Sequence, residues 1–563
     1  MNRKFVPENL NVDSKEEVLA LFQKLATEKI EETKEGLRNF IYSCSELDSV
    51  LSEVFCRRYV QMTCNTQDEN AAKKYASFVE EISPIQNEFH DILNKKIVAH
   101  FAFEDLKPEF EMYFKSVQVS LELFSKKNIP LETEEQKEIQ AYQKITGAMS
   151  VFYENKEQTL QQMNKYLEST NREKRKEAWL LMQERRLKDK ENLDNAFDKL
   201  FKIRNQIAKN ANCKDFIEYI FKAKNRFDYT PDDCKKFHES IEKLILPLQK
   251  KMYEHRKQQM HLDTLKPWDL NVDVLSRAPL KPFKTGEELI EKCCQIYESL
   301  NNQAGTWLRK MQKEKLIEAE SRLGKAPGGY QIGFDESRLP FIFMNAAGSD
   351  RDIYTLLHEG GHSCHQFAMA DQPIIAYRDI PSEFAEVASM SMELIGSTKL
   401  EKFYTNKNDA LRSKQNCLED VIRLFPWVAC IDLFQHELYS HVNHTPKDRE
   451  EIWLSIMDKF DAGVDYSGFE KVKANLWQKQ LHIFECPFYY IEYGIAELGA
   501  LQVFANFKKD PEKAFADLFA AESLGSSKPL SELFAKANIH FDFSPKTIEP
   551  LVETLWEEWS VNA

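Results

Sequence analysis

The chain has 563 residues, 42% of them apolar and 29% charged, with a net charge of −14. This is a globular composition, too long for one small core, and its negative charge disfavours nucleic acid and anionic membrane surfaces as partners. No run of 18 apolar residues offers a membrane span, and only 17 Gly amid abundant Lys, Glu, Leu and Gln point to a mainly α fold.

The opening residues Met1-Asn2-Arg3-Lys4-Phe5-Val6-Pro7-Glu8 lack the apolar core of a secretion signal. Eleven Cys, an odd number without a C-x-x-C, read as reduced thiols. Both features suit a cytoplasmic protein. Ser14-Lys15-Glu16-Glu17 reads as a capping box, and amphipathic helical patterns follow to about Phe124. Pro130 is expected to break the pattern, with Thr133 to Gln136 capping the next helix. A boundary near 165 separates an N-terminal helical region, 1–165, from 166–563. The charged run from Asn171 to Ala208 reads as a solvated helix face without a binding role.

Thr230-Pro231-Asp232-Asp233 opens a helix that runs to about Met260: Thr caps, Pro takes the first helical position, acids fill the first turn. Residues 261–284, with Pro267, Pro279 and Pro282, read as loop. Three short strands, Leu316 to Glu320, Gly329 to Phe334 and Pro340 to Met344, form the expected antiparallel meander over 316–345. An edge strand of such a sheet can take a peptide backbone as an added strand. Gly324-Lys325-Ala326-Pro327-Gly328-Gly329 has no P-loop pattern, so a nucleotide reading is rejected.

Next comes Thr355-Leu356-Leu357-His358-Glu359-Gly360-Gly361-His362-Ser363-Cys364-His365, which contains H-E-x-x-H in a helix expected over 352–368. Residues four apart stack on one face, so His358 and His362 can offer two nitrogens to one metal ion. Glu359, at the edge of that face, is placed to take a proton from water. Gly360 and Gly361 cost about 2 kcal/mol together relative to Ala in a helix, which points to close approach by another backbone or by substrate. A third ligand is needed. His365 lies about 10 Å along the axis from His358, too far to share the ion, and reads as packed or substrate-facing. The better candidates sit in Pro381-Ser382-Glu383-Phe384-Ala385-Glu386-Val387-Ala388-Ser389-Met390-Ser391-Met392-Glu393, a second buried helix over 382–395 whose three carboxylates need partners.

His436, His441 and His444 have spacings without a strong metal pattern and read as structural or exposed. In His482-Ile483-Phe484-Glu485-Cys486-Pro487-Phe488-Tyr489-Tyr490-Ile491-Glu492-Tyr493-Gly494, Tyr490 and Tyr493 share a helical face. On their own they read as an aromatic core stripe.

His358-Glu359-Gly360-Gly361-His362 followed by Phe384-Ala385-Glu386-Val387-Ala388-Ser389-Met390 resembles the thimet oligopeptidase / oligoendopeptidase F family of zinc peptidases. Lys266-Pro267-Trp268-Asp269-Leu270, Gly324 to Tyr330, Phe341 to Asn345, His482 to Gly494 and Leu524 to Leu530 are similar to segments of the same family. The likeness spans roughly 170–550. It implies one zinc ion per chain, held by His358, His362 and Glu386, with Glu359 as general base and Glu383 and Glu393 supporting the ligands. It implies oxyanion donors among His482, Tyr490 and Tyr493, with Tyr489 as the substitute. The implied fold is a zincin-type helical ellipsoid of two lobes, with a deep channel that admits short unfolded peptides, and a small antiparallel sheet beside the metal helix. The implied activity is internal cleavage of short oligopeptides. A metallocarboxypeptidase of the same motif class and a catalytically silent peptide-binding protein are the alternatives. Gly360 departs from the larger residue expected in many relatives.

Overall fold

A computed structural model describes residues 3–560. Met1 and Asn2, where the reading of a missing secretion signal begins, lie outside the described residues. The chain is mainly helical and forms two compact units, neither continuous in sequence. One comprises the chain up to Leu121, Lys281–Cys417 and Ala496–Phe541; the other comprises Glu122–Leu280, Leu418–Ile495 and the chain from Asp542 on.

In the first unit, Ser14 caps the helix Lys15–Thr27 by accepting the Glu17 N–H, as its sequence demands. The helix Ser83–Ala99 packs against it, with Phe89 stacked on Phe22 at 5.5 Å, and Phe22, Leu37, Leu47, Leu51, Phe78 and Phe110 close an apolar core. The sheet is mixed, a correction to the antiparallel meander. Leu339–Ala346 lies in the centre, parallel to Ile317–Glu320 and antiparallel to Tyr330–Phe334. The reason is in the strand itself: Phe341, Ile342, Phe343 and Met344 are all buried. An uninterrupted apolar run buries both its faces, which suits a central strand rather than the last strand of a meander. The glycine-rich stretch before Tyr330 is a brace. Lys325 Nζ donates to the carbonyls of Met344 (2.6 Å), Glu320 (2.8 Å) and Glu318 (3.1 Å).

After the sheet come two helices, Asp350–Ala368 and Ser382–Gly396. The first opens on a capping box of Ser349 and Asp352. They pack antiparallel at very short range. A Cβ on Gly361 would sit 2.7 Å from the Ala388 carbonyl oxygen and 2.6 Å from Ser389 Cα. A Cβ on Gly396 would sit 2.7 Å from Leu357 Cδ1. The expected close backbone approach at the glycine pair is therefore present at Gly361. Gly360 instead makes room for Tyr297, whose hydroxyl would lie 2.4 Å from a Cβ there and donates to the Leu357 carbonyl at 2.6 Å.

The second unit is built from long helices around Phe197, Phe434, Trp453, Trp477 and Phe488. Thr230 caps the helix as expected, and with Asp233 it forms a capping box that spans Pro231. The helical run to Gln259 passes through one wide π turn, Ile241–Ile245, immediately before Pro247, whose missing N–H relaxes the i→i−4 ladder. Pro130 does not break the pattern: the helix Ile129–Gly147 starts there, because the first turn has no use for the N–H that Pro lacks. Thr133 lies inside that helix, back-bonded to the Ile129 carbonyl. The charged run is two helices, Arg172–Lys188 and Lys190–Asn210, and it is not wholly solvated. Arg204 is fully buried, with Glu135 at 2.6 Å and the Ile483 carbonyl at 3.0 Å.

Candidate metal centre

The helix Asp350–Ala368 sets His358 and His362 one turn apart, with ring centroids 4.8 Å apart and planes nearly perpendicular. The antiparallel neighbour brings Glu386 to them. Glu386 Oε2 lies 3.3 Å from His358 Nε2 and 3.7 Å from His362 Nε2, and the three donors all lie within 4.8 Å of one another. The outer nitrogens are engaged elsewhere. His358 Nδ1 is 2.7 Å from Glu393 Oε1, and the backbone at Ala385 bonds to His362. With Nδ1 donating outward, each imidazole in its neutral form turns a lone pair on Nε2 towards the Glu386 carboxylate. Two lone pairs and a carboxylate oxygen converging on one point repel one another unless a cation lies among them. A tetrahedral ion with bonds of about 2.0–2.1 Å sets its donors about 3.3 Å apart, close to the 3.3 and 3.7 Å from Glu386 Oε2 to the two imidazoles. The residues fit zinc.

Electrostatics divide the carboxylates. Burial would raise Glu386, but His358 and His362 and the Ser389 hydroxyl, which donates at 3.0 Å, bring it down to about 2. Burial pushes Glu359 up to about 7; Glu386 and Glu393 add to the rise, His358 and the Gln331 backbone oppose it. Burial pulls His362 down to about 4, whereas Glu386 and Glu393 together outweigh burial at His358 and raise it well above its usual range. Gln331 belongs to Tyr330–Phe334, an outer strand of the sheet, and Gln366 of the His-bearing helix packs against Gly333 of that strand. The sheet edge and the general-base candidate are thus direct neighbours.

The remaining predicted residues fall as follows. Glu393 joins the group through His358. Glu383 is buried one turn before Glu386. His365 is fully buried with its ring edge-on to Phe384 at 5.7 Å, and burial pulls it down to about 3; it is a packed neutral histidine. Sequence reasoning passed over Glu497. It is buried, and desolvation, then Glu393, push its carboxyl well above the usual range. Its one signal is a carboxylate inside the apolar run from Ile495 to Ala500.

His482, Tyr489, Tyr490 and Tyr493 form a cluster in the second unit. The His482 ring centroid lies 4.9 Å from that of Tyr490 and 5.7 Å from that of Tyr493, and the two tyrosine rings are 5.4 Å apart. A relay that sequence reasoning missed fixes the histidine. Trp427 Nε1 donates to Gln480 Oε1 at 2.9 Å, which turns Gln480 Nε2 towards His482 Nδ1 at 2.7 Å. Indole N–H is donor only, so His482 Nδ1 accepts and its Nε2 carries the proton. Burial pushes Tyr490 up to about 12 and keeps it protonated.

Two family models match the chain: that of peptidase family M3 over residues 165–551, and that of the peptidase M3 N-terminal domain over residues 8–124. An oligoendopeptidase F homolog of Borreliella burgdorferi is 24% identical over 539 residues, covering 90% of this chain and 88% of its own. Another, of Mycoplasma genitalium, is 26% identical over 413 residues, covering 67% and 64%. A solved structure of PZ peptidase A with an inhibitor superposes with a TM-score of 0.90 at 27% identity, covering 99% of both chains.

Proposed function

The chain belongs to peptidase family M3, and from that premise we propose how its residues divide the work of an oligopeptidase. It is a metallopeptidase of oligoendopeptidase F type that hydrolyses oligopeptides. His358, His362 and Glu386 hold one zinc ion. Bound there, zinc supplies a Lewis acid for the scissile carbonyl and lowers the pKa of water towards about 7. Glu393 and the Ala385 carbonyl orient the two imidazoles from behind.

Glu359 takes the proton of the attacking water and returns it to the departing amine. Its position beside His358, and its contact with the Gln331 backbone, support that role. The outer strand Tyr330–Phe334 pairs with the peptide main chain, which aligns a scissile amide without reading many side chains. The family likeness supports His482 through Nε2–H, and Tyr490 or Tyr493 through their hydroxyls, as oxyanion donors; such donors contribute about 3–4 kcal/mol each. The eleven cysteines form no disulfide, and no described helix is long and apolar enough to cross a membrane. The thiols support a reducing, cytoplasmic setting.

The convergence of His358 Nε2, His362 Nε2 and Glu386 Oε2 beside a buried Glu359 carries this reading. Mass spectrometry of short peptides, with free and with blocked C-termini, tests it. Internal cleavage of both sets, abolished by a chelator and restored by zinc, is expected. Cleavage that survives complete metal removal overturns the ligand assignment, and trimming of terminal residues from free peptides alone overturns the endopeptidase alignment.

A further inference from the structure

A second group of metal-ligand side chains lies in the other compact unit. The helix Pro231–Ser240 carries Cys234 and His238; the helix Lys407–Ser440 carries Asp432 and His436. Each pair is four residues apart and so stacks on one helix face. The two faces meet. Cys234 Sγ, an Asp432 carboxylate oxygen and a His436 ring nitrogen all lie within 4.8 Å of one another, as do the three donors of the H-E-x-x-H group.

The group is sealed. Cys234 and Asp432 are fully buried, His238 is 2% exposed and His436 4%. Phe488 lies edge-on to His436 at 5.0 Å, and Phe221 flanks it at 6.2 Å. Such a shell cannot solvate a carboxylate, and an uncompensated buried charge costs several kcal/mol. The polar atoms are not saturated by one another. His238 Nε2 reaches Asp432 Oδ2 at 2.8 Å. His436 Nε2 is 3.3 Å from the same oxygen but is not aligned for a hydrogen bond. Asp432 Oδ1, His238 Nδ1 and His436 Nε2 have no hydrogen-bond partner among the described residues. Lys459, whose charge reaches His238, is paired with Glu242 at 3.2 Å.

We propose that Cys234, Asp432 and His436 hold a second, structural divalent ion of the zinc class, and that His238 positions the Asp432 carboxylate through its Nε2–H. Thiolate, imidazole and carboxylate are the donors such an ion prefers. Binding releases the thiol proton to solvent, and thiolate plus carboxylate then neutralise the dication. Burial pulls His238 down, so it stays a neutral donor, while His436 and His238 outweigh burial in keeping Asp432 ionised. The ion would pin together helices that begin 176 residues apart in sequence, at 231 and 407. With no solvent-facing ligand among the three, the site braces the fold and takes no substrate.

The test uses the full-length His358→Ala/His362→Ala variant, produced in cobalt-supplemented medium so that the ion is present as the chain folds. Cobalt per chain and the near-ultraviolet thiolate-to-cobalt absorption are then measured. A single retained cobalt with that absorption is expected, with the band lost on adding Cys234→Ser. A chain that retains no cobalt, or retains it without the thiolate band, overturns the proposal and leaves the group a metal-free His–Asp–His network. Where Cys234→Ser fails to fold, the band in the parent variant decides by itself.

Discussion

Burial drives Glu359 up to about 7, whereas His358 and His362 outweigh burial at Glu386 and bring it down to about 2. A carboxylate ligand must be ionised, whereas a proton carrier must both accept and release, so the two carboxylates suit different tasks. Glu359→Gln removes the proton acceptor and no metal donor. Turnover of a short peptide should fall by about 10²–10⁴-fold, with zinc per chain unchanged by elemental analysis; unchanged turnover sinks the assignment. Glu393→Ala strips the partner from His358 Nδ1, and zinc affinity should fall by about 10–100-fold in chelator competition. Legibility at this scale follows distance along the chain. His358, Glu359 and His362 declare themselves because four residues make one turn. Glu386 needed the family likeness, because three carboxylates of its helix were equally available to the eye. Gln480 and Trp427 were invisible, since an amide and an indole acquire meaning only when the fold sets them in line behind His482.

At the scale of elements, the crossing of Asp350–Ala368 and Ser382–Gly396 decides whether Glu386 meets the histidines. In an isolated helix, Gly361→Ala would stabilise by about 1 kcal/mol. Here the new methyl would sit 2.6–2.7 Å from Ser389 Cα and the Ala388 carbonyl oxygen, which are backbone atoms that cannot rotate away. Overpacking of that kind costs about 1–3 kcal/mol and outweighs the propensity gain. Gly361→Ala should therefore lower the urea midpoint and weaken zinc binding together, because the neighbouring helix carries Glu386. A variant more stable than the parent, with zinc affinity intact, would show that the helices tolerate separation. The glycine pair was readable as a close approach, yet which neighbour approached which glycine was not: Gly360 yields to the Tyr297 ring, Gly361 to a helix backbone. The sheet shows the same limit. Strand positions were legible from their turn residues, while strand order turned on the both-sided burial of Phe341 to Met344, which turn residues do not report.

For the whole molecule, the chain's return to each compact unit could not be read from local pattern. Each unit is assembled from three separate segments, the widest interval being that between Leu121 and Lys281. In the second unit one carboxylate ties together the elements of a single segment, Glu122–Leu280. Asp269 is fully buried and receives Arg172 at 2.7 and 3.0 Å, Arg175 at 2.9 Å and the Lys266 N–H at 3.1 Å. Arg175 also donates to the Trp268 carbonyl, and Arg256 to the Asp269 carbonyl, both at 2.9 Å. Burial would raise the Asp269 pKa, but the two guanidiniums outweigh it and hold the carboxyl below its ordinary value. A depressed folded pKa contributes stability that is fully present above the unfolded value of about 3.9 and is lost as pH falls through the folded one. Asp269→Asn leaves Arg175 buried without its counter-charge and should cost about 3 kcal/mol at pH 7, near the lower end for a broken buried pair because Arg172 remains half-exposed. Urea denaturation of parent and variant at pH 7 and at successively lower pH measures this. The gap should be widest at neutral pH and should close below about pH 4, as the parent takes up the proton that the amide already imitates; a gap independent of pH would mean that Asp269 acts by packing and not by charge.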